Sequence, residues 1–161
     1  RNPNIVYTGS QFGFYSRLDL ETGKRRSIKP VHELGQSPFR FNWQTPIRLS
    51  SHNQDVLYYG SNFLHKSTDK GESWKTISDD LTNGGKMGNV PYGTLTTISE
   101  SPLNKDVIYT GSDDGMIYVT KNGGKTWKNI SKDLPQDLWV SKLYASSHEE
   151  NIIYVSLVEQ N

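Results

Sequence analysis

Residue types that could do covalent chemistry are sparse in this chain. Carboxylates come closest, as adjacent pairs at Asp79-Asp80, Asp113-Asp114 and Glu149-Glu150 and a single acid at Glu100. Glycoside hydrolysis of the usual kind needs two carboxyl groups roughly 5–10 Å apart. Adjacent residues on a strand or turn point apart, so the pairs do not meet that need. Asp113-Asp114-Gly115 has the composition of a hairpin turn. Glu100 is left as a weak catalytic candidate. His32, His52, His65 and His148 lack metal-ligand spacing, and the absence of cysteine excludes thiolate zinc sites, disulfides and cysteine nucleophiles. Asp69-x-Gly71-x-Ser73 is too short for a calcium loop and has no distal bidentate Glu. Gly123-Gly124-Lys125-Thr126 mimics the end of a phosphate-binding loop, but Val119 stands where its first glycine belongs. No metal and no cofactor is expected.

Residues suited to binding are better represented. Trp43, Trp139 and Tyr92, with Arg40, Asn42, Gln44, Asn89, Thr94, Ser141 and Lys142, could stack on a sugar ring or grip a peptide. Packing between sheets is the competing role for the two indoles. Arg40 and Lys142 are expected to be more open, because a charge is seldom buried without a partner. Whether these positions converge depends on the elements that carry them.

The 161 residues hold 18 basic and 17 acidic side chains, so there is no bulk electrostatic reason to expect nucleic acid or an anionic membrane. No apolar run approaches the roughly 18 residues needed to span a bilayer. The chain opens on Arg1, as a processed chain or an excised fragment would. A hydrophobic fraction of 33% is low for a globular domain, but 18 aromatic residues and almost no net charge oppose disorder. Short, half-exposed strands with many turns fit that balance.

A repeat supplies those strands. Ile5-Val6-Tyr7-Thr8-Gly9-Ser10 recurs as Val56-Leu57-Tyr58-Tyr59-Gly60-Ser61 and Val107-Ile108-Tyr109-Thr110-Gly111-Ser112, a period of 51 residues both times. Ile152-Ile153-Tyr154-Val155-Ser156 follows as a fourth copy, 45 residues on and without the glycine. Each copy comes after a polar turn, and each period reads as four short β-runs with no helix. Four-stranded units repeated every 40–50 residues mark a β-propeller. The expected fold is all-β, with four-stranded antiparallel blades forming an incomplete arc of about three blades' worth of strands. Residues 4–29 form a partial blade, 43–80 and 94–131 complete blades, and 139–158 a partial blade. The same offsets make Trp43, Thr94 and Trp139 equivalent, near the mouth of the central channel.

Between the third and fourth strands lies a second repeated element. It is Ser67-Thr68-Asp69-Lys70-Gly71-Glu72-Ser73-Trp74 in one copy and Thr120-Lys121-Asn122-Gly123-Gly124-Lys125-Thr126-Trp127 in the next. Ser67, Asp69, Gly71, Ser73 and Trp74, and likewise Thr120, Asn122, Gly124, Thr126 and Trp127, suit a closed hairpin. The Asp or Asn bonds backbone N–H groups, Gly supplies a positive φ, and Trp buries its ring. The first unit reads Ser16 to Lys24 here, with Asp19 and Gly23 but no Trp.

This element resembles the Asp-box of the bacterial neuraminidase repeat family. Phe39 to Pro46, Gly88 to Pro102 and Leu138 to Ser141 look most like the sortilin-like "glycosyl hydrolase BNR repeat" proteins of bacteria. That resemblance implies an exported protein, secreted, cell-surface or periplasmic. It implies a non-catalytic binding or scaffold module engaging a protein or glycan at the inner-strand loop face. The alternative is part of a glycoside hydrolase, sialidase-like or β-glucanase-like. A sialidase-like site would need an arginine cluster, and the six arginines recur at no one blade position. The expected partners are the remaining blades, from the same protein or from associated copies, with neither nucleic acid nor membrane insertion. Asn129-Ile130-Ser131 is a glycosylation sequon, relevant in a eukaryotic secretory host.

Overall fold

A computed structural model describes residues 2–135 and 137–159. The described chain is all-β, with thirteen strands in four antiparallel sheets and one 3-10 turn at Gln11–Gly13. The first sheet holds β1 (Ile5–Ser10), β2 (Phe14–Asp19) and β3 (Arg25–Ser27). The second holds β4 (Ile47–Leu49), β5 (Leu57–Gly60), β6 (Leu64–Ser67) and β7 (Lys75–Thr76). The third holds β8 (Leu95–Glu100), β9 (Ile108–Ser112), β10 (Ile117–Thr120) and β11 (Lys128–Asn129). The fourth is β12 (Trp139–Ala145) with β13 (Ile153–Val158). Every sheet is a meander, as expected where short turns link strands of alternating direction.

Strand register reproduces the repeat. Ile47 faces Tyr59, Ile98 faces Thr110 and Leu143 faces Val155, so equivalent pairs are spaced by the same 51 and 45 residues. β8 and β12 each shift register once, around Thr96 and Ser141. There Thr96 Oγ1 donates to the Gly111 carbonyl and Ser141 Oγ to that of Ser156, both at 3.1 Å. A hydroxyl thus occupies each bulge and helps satisfy the interrupted ladder.

The turns are closed by repeated side chains. Ser50, Ser101 and Ser146 accept the N–H groups of His52, Leu103 and His148 at 3.1, 3.2 and 3.1 Å. His52 and His148 therefore sit in turns, at one shared repeat position. In the β6–β7 hairpin, Ser67 Oγ accepts the Gly71 N–H at 2.8 Å and Asp69 accepts the Ser73 N–H at 2.9 Å. In the β10–β11 hairpin, Thr120 and Asn122 do the same for Gly124 and Thr126, each at 2.9 Å. Only the outer bond reverses. Ser73 Oγ donates to Asp69 at 2.5 Å, whereas the Asn122 amide donates to Thr126 at 2.8 Å. In the first sheet Asp19 accepts the N–H groups of Glu21 and Thr22 at 3.0 and 3.1 Å, a turn without an indole.

The core lies between sheets. Tyr58, Leu64, Leu81, Leu95, Ile98 and Ile108 pack the second sheet on the third. Tyr109, Ile117, Val140, Leu143 and Ala145 pack the third on the fourth. Gly111 is needed for this approach: a Cβ there would overlap Val140 of the next inner strand. Hydroxyls join the inner strands too, with Thr97 and Ser99 accepting the Leu143 and Ala145 N–H groups at 3.3 and 3.0 Å.

Candidate functional site

Because the strands alternate, the loops entering β4, β8 and β12 share one face with the β1–β2, β5–β6 and β9–β10 turns. The residue after the second and the third Gly-Ser holds an entering loop. Asn62 Oδ1 accepts the Arg40 N–H at 3.0 Å, and its equivalent Asp113 accepts those of Gly93 and Thr94 at 3.0 and 2.9 Å. The chain gives a carboxylate or amide here because a loop bent toward the channel exposes N–H groups that no strand partner satisfies.

From this cap a network spreads across the face. Arg40 Nη2 meets Asp80 Oδ2 at 2.7 Å and Thr82 Oγ1 at 3.1 Å, and Arg40 Nε donates to the Gly93 carbonyl at 3.0 Å. Asn62 Nδ2 adds a second donor to Asp80 at 2.9 Å. Burial pushes the Asp80 carboxyl up, but the donors Thr82, Asn62 and Arg40 outweigh it and hold it below the usual range. Asn42 Nδ2 donates to Thr94 Oγ1 at 2.9 Å, and Thr94 Oγ1 donates to Asp113 at 2.6 Å. Burial lifts the Asp113 carboxyl above its ordinary value despite its donors, and the neighbouring Asp114 adds to the rise. Asp114 turns elsewhere, accepting from Ser112 Oγ at 2.5 Å and the Asn83 N–H at 2.6 Å.

Two candidates are therefore internal, and a third is half-buried with its charge paired. Asn42 and Thr94 are buried, and the Arg40 guanidinium is committed to Asp80, Thr82 and Gly93, so it is not the open cation its charge suggested. A charge next to a loop carbonyl and an acid finds partners within the chain, which the residue type alone does not reveal. Trp43, Gln44, Asn89, Ser141 and Lys142 are exposed, and Tyr92 and Trp139 are half-buried. Trp43 is 49% exposed, with Phe12 edge-on at 5.1 Å between ring centroids and the Phe12 N–H on its carbonyl at 3.2 Å. Trp139 opens β12 opposite Val158. Lys86 Nζ stands 4.6 Å over the Tyr92 ring. Burial raises the Tyr92 hydroxyl, although Lys86 opposes it.

Glu100 lies at the other end of its strand and is 2% exposed. It accepts from Ser50 Oγ at 2.8 Å, the Ser51 N–H at 2.7 Å, Ser51 Oγ at 3.0 Å and Tyr58 OH at 3.1 Å. All these donors belong to the second sheet or its turn, so the carboxylate joins two sheets and faces no cleft. His65 is equally internal, between Ser61 Oγ at 2.8 Å and Thr76 Oγ1 at 3.0 Å. Among the described residues no cluster of His, Asp or Glu has the arrangement of a metal site.

Asn62, Thr82, Phe12 and Phe39 were not marked as site residues by sequence reasoning. Asn62 and Asp113 had a usable signal, the polar residue that follows each Gly-Ser. Phe39 and Phe63, with Arg40, Trp74 and Asp80, also line an open cleft of about 860 Å³ beside β7.

Four-stranded antiparallel meanders set side by side around their first strands define a β-propeller, here an incomplete arc. No family model matches the chain. It is 32% identical over 104 residues to a vacuolar protein sorting/targeting protein 10 from Emericella nidulans, a match of 65% of this chain to 6% of that protein. The chain thus spans a small part of that relative. Among solved structures, an ancestral GH74 enzyme superimposes with a TM-score of 0.64 at 16% identity, over 96% of this chain and 21% of the other. The GH74 xyloglucanase of Xanthomonas campestris gives 0.61 at 18% identity, over 95% and 24%. YCF48 bound to D1 peptide gives 0.57 at 17% identity, over 90% and 42%. At these identities the likeness is one of fold. No helix among the described residues is long and apolar enough to cross a membrane.

Proposed function

We propose that the chain is a non-catalytic binding or scaffold part of an exported Asp-box propeller protein. Its inner-strand loop face engages a protein or glycan, and the remaining blades, from the same protein or associated copies, complete the ring. One observation carries the reading: Trp43 is half-exposed on a face whose polar groups are locked to one another. A rigid support under an open aromatic ring lowers the ordering cost of binding. Gln44, Tyr92, Ser141 and Lys142 supply further donors and acceptors near the loops entering β4, β8 and β12. The two hairpins support the Asp-box reading through their matching bonds. The sorting/targeting name of the fungal relative and the peptide bound to YCF48 fit a binding role on an exported or sorted protein. The bacterial source implied by the repeat family is part of the same proposal.

Peptide and oligosaccharide arrays test it. A captured ligand should lose about tenfold or more in affinity with Trp43→Ala, while Gln44→Ala and Lys142→Ala weaken it without changing the thermal midpoint. Turnover of a β-glucan or a sialoside by the chain would overturn it in favour of the hydrolase.

A further inference from the structure

The tetrapeptide Asn-Gly-Gly-Lys occurs twice, as Asn83-Gly84-Gly85-Lys86 and as Asn122-Gly123-Gly124-Lys125. An asparagine followed by glycine is prone to cyclise, because the bare glycine lets its own nitrogen approach the side-chain amide carbon. Both asparagines are exposed, so water reaches each alike. Their bonding differs.

Asn122 is held by its hairpin. Its Oδ1 accepts from Thr120 Oγ1 and from the Thr126 N–H, both at 2.9 Å, and its Nδ2 donates to Thr126 Oγ1 at 2.8 Å. The Gly123 nitrogen, which would have to attack, donates its N–H to the Asp106 carbonyl at 2.9 Å. A Cβ on Gly123 would stand 3.1 Å from Asp106 Oδ1, so this turn is also packed from the side.

Asn83 is held by its backbone instead, with the N–H on Asp114 Oδ2 at 2.6 Å. Among the described residues nothing bonds its side-chain amide. The Gly84 N–H meets a hydroxyl, Thr82 Oγ1, at 3.1 Å, and a hydroxyl turns away more easily than a backbone carbonyl. Gly84 has a φ of 98° and no atom within 4 Å of where a Cβ would stand.

We infer that Asn83 is a site of spontaneous modification, converting to aspartate and isoaspartate, while Asn122 in the same tetrapeptide is protected. The Gly84 nitrogen loses its proton to solvent and bonds to Asn83 Cγ, and Nδ2 takes up a proton and leaves as ammonia. Water then opens the five-membered imide. Breaking the new bond to Cγ leaves aspartate, and breaking the original bond to the Asn83 carbonyl carbon leaves isoaspartate. Either product places a new carboxylate on the loop face beside Asp114. Isoaspartate also lengthens the backbone ahead of Gly84, whose oxygen lies where a Cβ on Gly93 would collide with it, at the entry to β8. The modification thus changes both the charge of the face and the seating of one entering loop.

Tryptic peptides 76–86 and 122–125 report the two sites by mass. In the folded chain aged in mildly alkaline buffer, the first should become the acid at least about tenfold faster than the second, since opening the hairpin breaks several bonds. In urea the two should convert at similar rates, because the tetrapeptides are identical. Thr126→Ala removes one bond to the Asn122 amide and should speed conversion there about three- to tenfold. Equal rates in the folded chain would overturn the inference, as would an Asn83 that stays an amide while the urea sample converts. An Asn122 rate unmoved by Thr126→Ala would overturn it as well.

Discussion

Trp127 reaches out of its own sheet to give its indole N–H to the carbonyl of Ile77, 50 residues earlier, at 2.8 Å. Trp74 repeats the contact with Ile28. The tryptophan that ends each hairpin is therefore a tie between neighbouring sheets. Trp127→Phe removes the N–H and should cost about 1 kcal/mol; Trp127→Ala also removes the ring, toward the lower end of about 3–5 kcal/mol because the side chain is only half-buried. Calorimetric midpoints for the two variants should fall in that order, and an unchanged midpoint for Trp127→Ala would refute the tie.

Gly124 has a φ of 98° and its missing Cβ would press on Ile77. Gly124→Ala combines backbone strain with a collision, and should cost more than about 1–2 kcal/mol in a urea titration. Lys70 offers the opposite case. It holds a φ of 61° where the equivalent Gly123 holds 69°, and its ion pair with Asp55 is long, at 3.5 Å. Lys70→Gly should therefore stabilise the chain by up to about 1 kcal/mol. Destabilisation would show that the ion pair outweighs the strain.

Glu100→Gln keeps the shape but replaces an acceptor oxygen with a donor facing Ser50, Ser51 and Tyr58. The mismatch should cost about 1–3 kcal/mol in denaturant unfolding. The same variant should bind any ligand of the loop face with wild-type affinity, because the carboxylate lies at the opposite end of β8. Loss of binding at unchanged stability would contradict that placement.

Burial holds the His65 imidazole neutral, with its pKa lowered to about 4 from 6.5. The unfolded chain then binds a proton that the folded chain refuses. Stability is complete above pH 6.5 and declines as pH falls from there toward about 4. Asp69, held down to about 2 by the Ser73 hydroxyl and N–H, contributes above its ordinary value of 3.8, and that contribution is lost as pH falls through about 2. Proton NMR titration should show His65 silent between pH 8 and about 5. A midpoint near the ordinary value would overturn the assignment.

Much of the fold was legible before any coordinates. Strand existence, the order within each sheet, the hairpin motif and the offsets of 51 and 45 all follow from contacts among residues near in sequence. Ser67 to Trp74 closes on itself through side chains four residues apart, so its sequence is sufficient to specify its shape. The candidate site was legible only as a region. Arg40, Asn42 and Thr94 fell at the right end of the sheets, but their partners Asp80, Thr94 and Asp113 lie 40, 52 and 19 residues away. Which donor meets which acceptor depends on how closely one sheet packs against the next. That distance is set by volume, by Gly111 under Val140 and Gly124 over Ile77, and volume has no period in the sequence. Local hydrogen bonding thus specified the blades, and tertiary packing decided which polar residues were consumed between them and which were left facing solvent.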